Sequence, residues 1–403
     1  MDLFEKCTAS PVAKHARDFM ERGIYPYFRP ISTGQDTEVW IEGKKYLMLG
    51  SNSYLGLTSD PRVIAAANKA TLKYGTGNAG SRFLNGTLDI HEALESKIAA
   101  LLGRESAILY STGYQTNLGV ISALVGPDDV VVTDKADHAS IIDGCKLSFG
   151  EMLRFRHQDM AHLESVLAKI PEDKGILIVV DGVYSMEGDI ADLPGIVPLA
   201  RKYGARIMVD DAHAIGVIGK GGRGTASHWA ELGKIKEQDV DIVTGTFSKS
   251  WASLGGFCAC SRDVMHYMRH VSRSLIFSAS MTPGTVAAVS KSIDIMLDEP
   301  ERITNLWAIT RMMQDGLTRM GFGIGHSETP IVPIHIGQME DAFRMWRGLT
   351  DEGLFVNPVV PPAVSPGDCL IRTSYMATHT KEQMTMALEI FRKVGRGLGL
   401  VHA

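Results

Sequence analysis

Cysteine is scarce in this 403-residue chain, and what there is stands badly spaced for any staple. Cys7, Cys145, Cys258, Cys260 and Cys369 form an odd, scattered set with no CxxC pair. That argues against a disulfide framework or a bound metal, and a reducing, cytoplasmic home is expected. Cys258-x-Cys260 lies in the apolar run Phe257–Cys260 and reads as a core strand. Long hydrophobic runs are missing too. The longest aliphatic stretch, Ile176–Val180, is far short of the about 20 residues that span a bilayer. Asp2, Glu5 and Lys6 stand where a secretory signal would be apolar, so no stable membrane insertion is expected. Basic charge is not in excess either. A net charge of −5 argues against a nucleic-acid partner, and Lys44-Lys45 reads as solvated surface. There is no internal repeat and no low-complexity linker.

What is present is alternation. From about residue 60 to 285, short apolar runs alternate with amphipathic stretches. Asp60-Pro61 opens one helix as cap and first position, and Gly75 closes it; Leu94, Ile98 and Leu101 mark another over His91–Leu102. Strands are expected at Ala107–Tyr110, Val130–Thr133, Ile176–Val180, Arg206–Val209 and Asp241–Thr244, with helices such as Met160–Ile170 and Ile196–Tyr203 between them. This reads as an α/β fold with a mainly parallel sheet. After a boundary near Pro283, helical segments Glu301–Met320, Asp341–Gly353 and Lys381–Val394 flank strands at Ile331–His335 and Cys369–Arg372, which fits a smaller α+β domain. The expected division is an N-terminal segment 1–58 with a helix and a hairpin, a large domain 59–285 and a small domain 286–403.

In open α/β sheets ligands sit beyond the carboxyl ends of the strands, and five such places carry useful groups. Ser111-Thr112-Gly113-Tyr114 precedes a helical stretch from about Asn117, and its glycine would let backbone N–H groups approach a phosphate; an ordinary strand-to-helix turn would look the same. His138 would stack on a flat heterocycle or cap a helix. Ser185, in Asp181–Gly188, would bond a ring substituent or only backbone. Asp210, in Val209-Asp210-Asp211-Ala212-His213, ends an apolar strand where a lone carboxylate is costly; a pyridinium N–H would satisfy it, and so would a structural pair with His213. Lys249, in Gly245-Thr246-Phe247-Ser248-Lys249-Ser250, is flanked by small hydroxyls, which suits a Schiff-base lysine beside a phosphate, although most lysines are surface charges. Each is weak alone. Together they supply a phosphate cradle, a stacking ring, an acid for a pyridine nitrogen and an amine for an aldehyde.

One motif competes. Gly219-Lys220-Gly221-Gly222-Arg223-Gly224 matches the dinucleotide fingerprint GxGxxG. It lies deep in the chain with no convincing strand leading into it, so a flexible loop is the better reading and a nicotinamide-dependent oxidoreductase a distant one.

The motifs NAGSRFLNGT (Asn78–Thr87), YSTGYQTN (Tyr110–Asn117), HASIIDG (His138–Gly144), GVYSMEGDI (Gly182–Ile190), GTFSKS (Gly245–Ser250) and FSAS (Phe277–Ser280) resemble the α-oxoamine synthase family of fold-type I pyridoxal-phosphate enzymes, across essentially the whole chain. The resemblance implies an aspartate aminotransferase-like fold and a homodimer with a shared active site. It implies pyridoxal 5'-phosphate carried by Lys249, with Asp210 at the pyridine nitrogen, His213 and Ser185 at the ring oxygen and His138 stacked on the ring. Gly113, Tyr114, Thr246 and Ser248 would lie near the phosphate, with Ser278 reaching in from the partner subunit. Asn52 and Arg372 match positions expected around the amino-acid substrate, Arg372 as its carboxylate clamp.

The implied reaction joins an amino acid to an acyl-CoA. GTFSKS, FSAS and the start of Pro361-Pro362-Ala363-Val364-Ser365-Pro366 favour the soluble bacterial members that use L-serine and palmitoyl-CoA, releasing CoA and CO₂ to give 3-ketodihydrosphingosine, the first step of sphingolipid synthesis. Those members write the proline segment PPATP, a departure that touches acyl preference. Arg372-Thr373-Ser374 and Ala377–Thr380 also resemble the glycine-using 2-amino-3-ketobutyrate CoA ligase (glycine C-acetyltransferase), and 8-amino-7-oxononanoate synthase is a further alternative. Trp251 would either narrow a pocket or fill core. A non-catalytic partner subunit of the same fold is disfavoured, because Lys249, Asp210 and His138 are all kept.

Overall fold

Asp60 and Pro61 show how this chain begins its helices. In the computed structural model, which describes residues 2–361 and 363–401, helix Pro61–Tyr74 has proline at its first position, and the Asp60 carboxylate accepts from the Arg62 amide at 2.9 Å. Gly75, at φ +90°, ends it. Thr112 caps Gly113–Leu124 in the same way, Asp159 caps Met160–Leu167, and Asp192 caps Leu193–Lys202. The cap at Thr112 makes that helix start at Gly113, earlier than the periodicity placed it. Pro362, within the proline-rich segment, lies outside the described residues.

Strands β1 (Glu38–Ile41) and β2 (Lys44–Met48) form the expected hairpin, turning through Glu42 and Gly43 at φ +50° and +77°. The main sheet follows: β3 (Ser106–Tyr110), β4 (Asp129–Asp134), β5 (Glu151–Phe155), β6 (Gly175–Asp181), β7 (Arg206–Asp210), β8 (Ile242–Thr246) and β9 (Gly256–Cys260). Their order is β3-β9-β8-β7-β6-β4-β5. Pairing is parallel from β5 through β4, β6 and β7 to β8, while β9 runs antiparallel to both β8 and β3. Central strands covered by helices on both faces are apolar throughout, as Val130–Val132 and Ile178–Val180 are, so they stand out in the sequence. Cys258 and Cys260 lie buried in β9, in the core.

The C-terminal strands are β10 (Ile331–Gly337), β11 (Leu354–Phe355), β12 (Asn357–Val359) and β13 (Cys369–Ser374). β10, β13 and β12 make an antiparallel sheet, whereas β11 pairs in parallel with β2. Two large cores result. Helix Pro283–Asp298 contributes Val286, Val289, Ile293 and Met296 to the main-sheet core, together with Leu55, Leu57 and Val63. The other core joins Leu47, Leu49 and Tyr54 to Leu306, Ile371 and Phe391. The N-terminal segment therefore straddles both bodies, and the change of core along the chain falls between Met296 and Leu306. Because β3, β4, β6, β7 and β8 point the same way, the motif loops that follow them gather at one edge.

Candidate active site

A cavity of about 270 Å³ opens at that edge. Gly113, Tyr114, His138, Ser185, Asp210, His213, Thr246, Ser248 and Lys249 all line it. One wall is the beginning of helix Gly113–Leu124. Thr112 Oγ1 accepts from the Gln115 amide at 3.0 Å, while the Gly113 and Tyr114 amides have no protein acceptor among the described residues. Across from them, Thr246 Oγ1 and Ser248 Oγ lie 2.9 Å apart. A Cβ on Gly113 would fall 2.6 Å from Thr246 Cβ, so only glycine permits this approach. Free amides at a helix start beside two hydroxyls suit a phosphate. The Tyr114 hydroxyl bonds to Asp143.

Lys249 is half-buried, and its side-chain amine makes neither an ion pair nor a hydrogen bond among the described residues. Burial pushes its amine down to about 8, against the pull of Asp210 and Asp181. Asp210, only 5% exposed at the end of β7, is held on both oxygens: Asn117 Nδ2 donates to Oδ2 at 2.6 Å and the Ala212 amide to Oδ1 at 3.0 Å. Asn117 also donates to Ser140 Oγ at 2.9 Å and accepts from Thr244 Oγ1 at 3.0 Å. The sequence reading missed this residue, although it closes the YSTGYQTN motif.

His138 caps helix Ala139–Leu147 and also lines the cavity. Its Nδ1 lies 2.8 Å from Ser140 Oγ, and burial lowers its pKa. Its backbone amide donates to Asp181 at 2.8 Å. Asp181 belongs to a buried acidic group that sequence reasoning did not find. Asp137 accepts from the amides of Asp134 and Asp181, both at 2.8 Å, and burial, with repulsion from Asp181 on Asp137 and from Asp210 on Asp181, raises both well above the usual carboxylate range. His157 bridges Asp134 and Asp189 at 2.9 Å each, its ring set edge-on against Tyr184.

His213 is also buried. Its Nδ1 lies 2.7 Å from the hydroxyl of Tyr54, another residue the sequence reading passed over. Arg372 and Asn52 stand behind the cavity wall. Arg372, 6% exposed, donates to Ser185 O at 2.6 Å and to Asn52 Oδ1 at 3.0 Å, and has no carboxylate partner among the described residues. A buried guanidinium that holds only neutral oxygens is placed to take an anion.

Three further places the sequence singled out lie outside this cavity. Ser278 does not line its own chain's cavity; its Oγ accepts from Gln115 Nε2 at 3.1 Å. Trp251 fills core against Phe247 and Phe257, with ring centroids 5.7 and 5.9 Å away. The Gly219–Gly224 run is a compact turn rather than a loose loop. Gly222 donates back to Gly219 O and Gly224 to Ile218 O, both at 3.0 Å, and the next residue, Thr225, bonds the buried Asp211. No strand of the sheet leads into it.

The geometry has known counterparts. The family model of aminotransferase class I and II matches residues 44–391. The chain is 54% identical over 372 residues to a serine palmitoyltransferase of Sphingobacterium spiritivorum, with 92% of each chain covered. It is 42% identical over 381 residues to 8-amino-7-oxononanoate synthase 1 of Bacillus velezensis, covering 94% of this chain and 96% of that one. Its fold is similar to a high-resolution structure of SPT with PLP internal aldimine, at TM-score 0.95 and 38% identity over 100% of both chains. The chain belongs to the aminotransferase class I and II family, and within it to the α-oxoamine synthases.

Proposed function

We propose that this chain is a pyridoxal-phosphate-dependent acyltransferase that condenses L-serine with palmitoyl-CoA, releasing CoA and CO₂ and giving 3-ketodihydrosphingosine. The observation that carries the reading is a half-buried, unpartnered Lys249 in one cavity with an Asp210 carboxylate aimed by two donors. The rest of the cavity fits the cofactor: the Gly113 and Tyr114 amides with Thr246 and Ser248 for the phosphate, His138 for the ring face, and His213 and Ser185 for the ring oxygen. When bound, pyridoxal phosphate supplies an aldehyde for amines and a protonated ring that accepts the electrons of a carbanion at Cα.

The chain's own groups do the rest. Asp210 would hold the proton on the ring nitrogen, and Asn117 keeps its carboxylate in place. Lys249, depressed to about 8, is partly neutral near neutral pH and is the base that takes the Cα proton on Nζ. Arg372 clamps the serine carboxylate, with Asn52 beside it. Residues 59–285 would hold the cofactor and 286–403 the substrate carboxylate. Two copies would pair as a homodimer in which Ser278 completes the partner's site, a reading supported by its place outside its own cavity. Among the described residues no helix is long and apolar enough to cross a membrane, which fits a cytoplasmic enzyme that handles lipid precursors.

The test is the visible spectrum of the protein with pyridoxal phosphate, titrated separately with serine, glycine and alanine. It is followed by mass spectrometry of the product formed with palmitoyl-CoA. A band that responds to serine, with a long-chain 3-keto amine as product, is expected. A response confined to alanine or glycine moves the substrate to that of the 8-amino-7-oxononanoate synthases or the glycine-using enzymes. A protein that takes up no pyridoxal phosphate overturns the reading.

A further inference from the structure

We infer that Tyr54 is a positioning residue that fixes the tautomer of His213, keeping Nδ1 as an acceptor and presenting Nε2–H to the cavity. The inference deepens the proposed function and rests on it for the identity of the ligand, not for the tautomer itself. Tyr54 is fully buried in the C-terminal core, and its hydroxyl has one short partner, His213 Nδ1 at 2.7 Å. The other candidate, Asn52 Oδ1, is 3.5 Å away, beyond the useful range for O–H···O, and already accepts from Arg372 Nη2 at 3.0 Å.

The surroundings decide which way the short bond runs. Arg372 Nη2, which can only donate, already holds Asn52 Oδ1, the one other acceptor near the Tyr54 hydroxyl among the described residues. Were Nδ1 protonated, the phenol would have to accept from it, and its own proton would be left with Asn52 Oδ1 at 3.5 Å. With Nδ1 bare, Tyr54 O–H points at it over 2.7 Å and the phenol's proton has an acceptor within range. The doubly protonated ring is disfavoured as well. His213 has no carboxylate bonded to it among the described residues, and burial together with the positive charges of Lys249 and Arg372 holds it neutral. Nε2 therefore carries the proton, as a neutral donor to an oxygen acceptor such as the phenolic oxygen of a pyridine aldehyde. Tyr54 comes from the N-terminal segment and His213 from the loop after β7, so this bond also ties that segment to a loop that lines the cavity.

Two measurements test the assignment. In ¹⁵N spectra of the full chain, with and without pyridoxal phosphate, the His213 signals, identified by their loss in His213→Asn, should show a bare Nδ1 and a protonated Nε2 at neutral pH. A protonated Nδ1 or an imidazolium overturns the inference. In a double-mutant cycle read by pyridoxal-phosphate affinity, Tyr54→Phe should weaken binding about tenfold, and Tyr54→Phe/His213→Asn should be no weaker than His213→Asn alone. Additive losses would mean that Tyr54 acts only on the fold, and they overturn it too. A wild-type chain that binds no pyridoxal phosphate refutes the proposed function instead, and the ¹⁵N spectra then decide the tautomer alone.

Discussion

At Lys249 burial outweighs the pull of Asp210 and Asp181 on an amine that neither of them bonds, and two consequences can be measured. The free chain should capture pyridoxal phosphate faster as pH rises, because only the neutral amine attacks an aldehyde. The capture rate should climb about tenfold per pH unit below about 8 and level off above it. Stopped-flow absorbance would show this, and a plateau reached only near pH 10 would contradict the environment described for Lys249. Lys249→Ala should abolish turnover while leaving the melting temperature nearly unchanged, since the side chain makes no bond that its loss would break. Asn117→Ala is the opposite case. It removes donors to Asp210 and Ser140 and an acceptor for Thr244, so it should cost about 2 kcal/mol of stability as well as activity, read by denaturant melts and steady-state rates. These contrasts explain what the sequence could disclose. Lys249, Asp210 and His138 stand directly after strands, where residue type and position both speak. Asn117, Asp181 and Tyr54 reach their partners from distant parts of the chain: Tyr54 and His213 are 159 positions apart. No local pattern marks such pairs.

Elements were legible in proportion to how one-sided their burial is. β4 and β6 are apolar on both faces and could be read from the sequence; β5 is an edge strand with Glu151 and Arg154 exposed, and it was not. Helix Arg262–Val271 was missed because His266, Arg269 and His270 leave its solvent face so polar that only Met265 and Met268 mark the core side. The turn after β5 carries His157, which bridges β4 at Asp134 to the Ser185 loop at Asp189. Burial alone would lower its pKa, but the two carboxylates outweigh burial and push it up to about 10. A pKa raised on folding stabilises the fold fully below the unfolded value of about 6.5, and the contribution drains away as pH rises through about 10. His157→Gln should therefore cost about 2 kcal/mol at pH 6, less than a fully buried pair because the side chain is 35% exposed and solvent screens it. The gap between wild type and variant should close by about pH 10. A gap that stays constant across that range would assign His157 a packing role only.

For the whole molecule, the surface beside the cavity carries the argument for assembly. The segment Asn78–Thr87 is pinned to residues 277–281: Asn78 Nδ2 donates to Met281 O at 2.6 Å, and the Ser280 amide to Gly80 O at 3.0 Å. Yet Leu84 and Phe277 are 76% and 75% exposed. Apolar side chains held outward on a fixed backbone suit a second copy of the chain, and Ser278 sits among them. If two copies share their sites, defects at Lys249 and Ser278 should complement. Lys249→Ala chains alone are inactive, and Ser278→Asp should be strongly impaired, because it sets a negative charge against the cofactor's phosphate. In a mixed dimer one site receives both defects and the other receives neither. Unfolding the two variants together and refolding them as a mixture should thus restore about a quarter of wild-type turnover, half the dimers being mixed with one sound site each. Sites built from a single chain would each keep one defect, and the mixture would do no better than the average of its parts. A partition by sedimentation into monomers that turn over at the wild-type rate would likewise end the shared-site reading, and Ser278 would then need a role within its own chain.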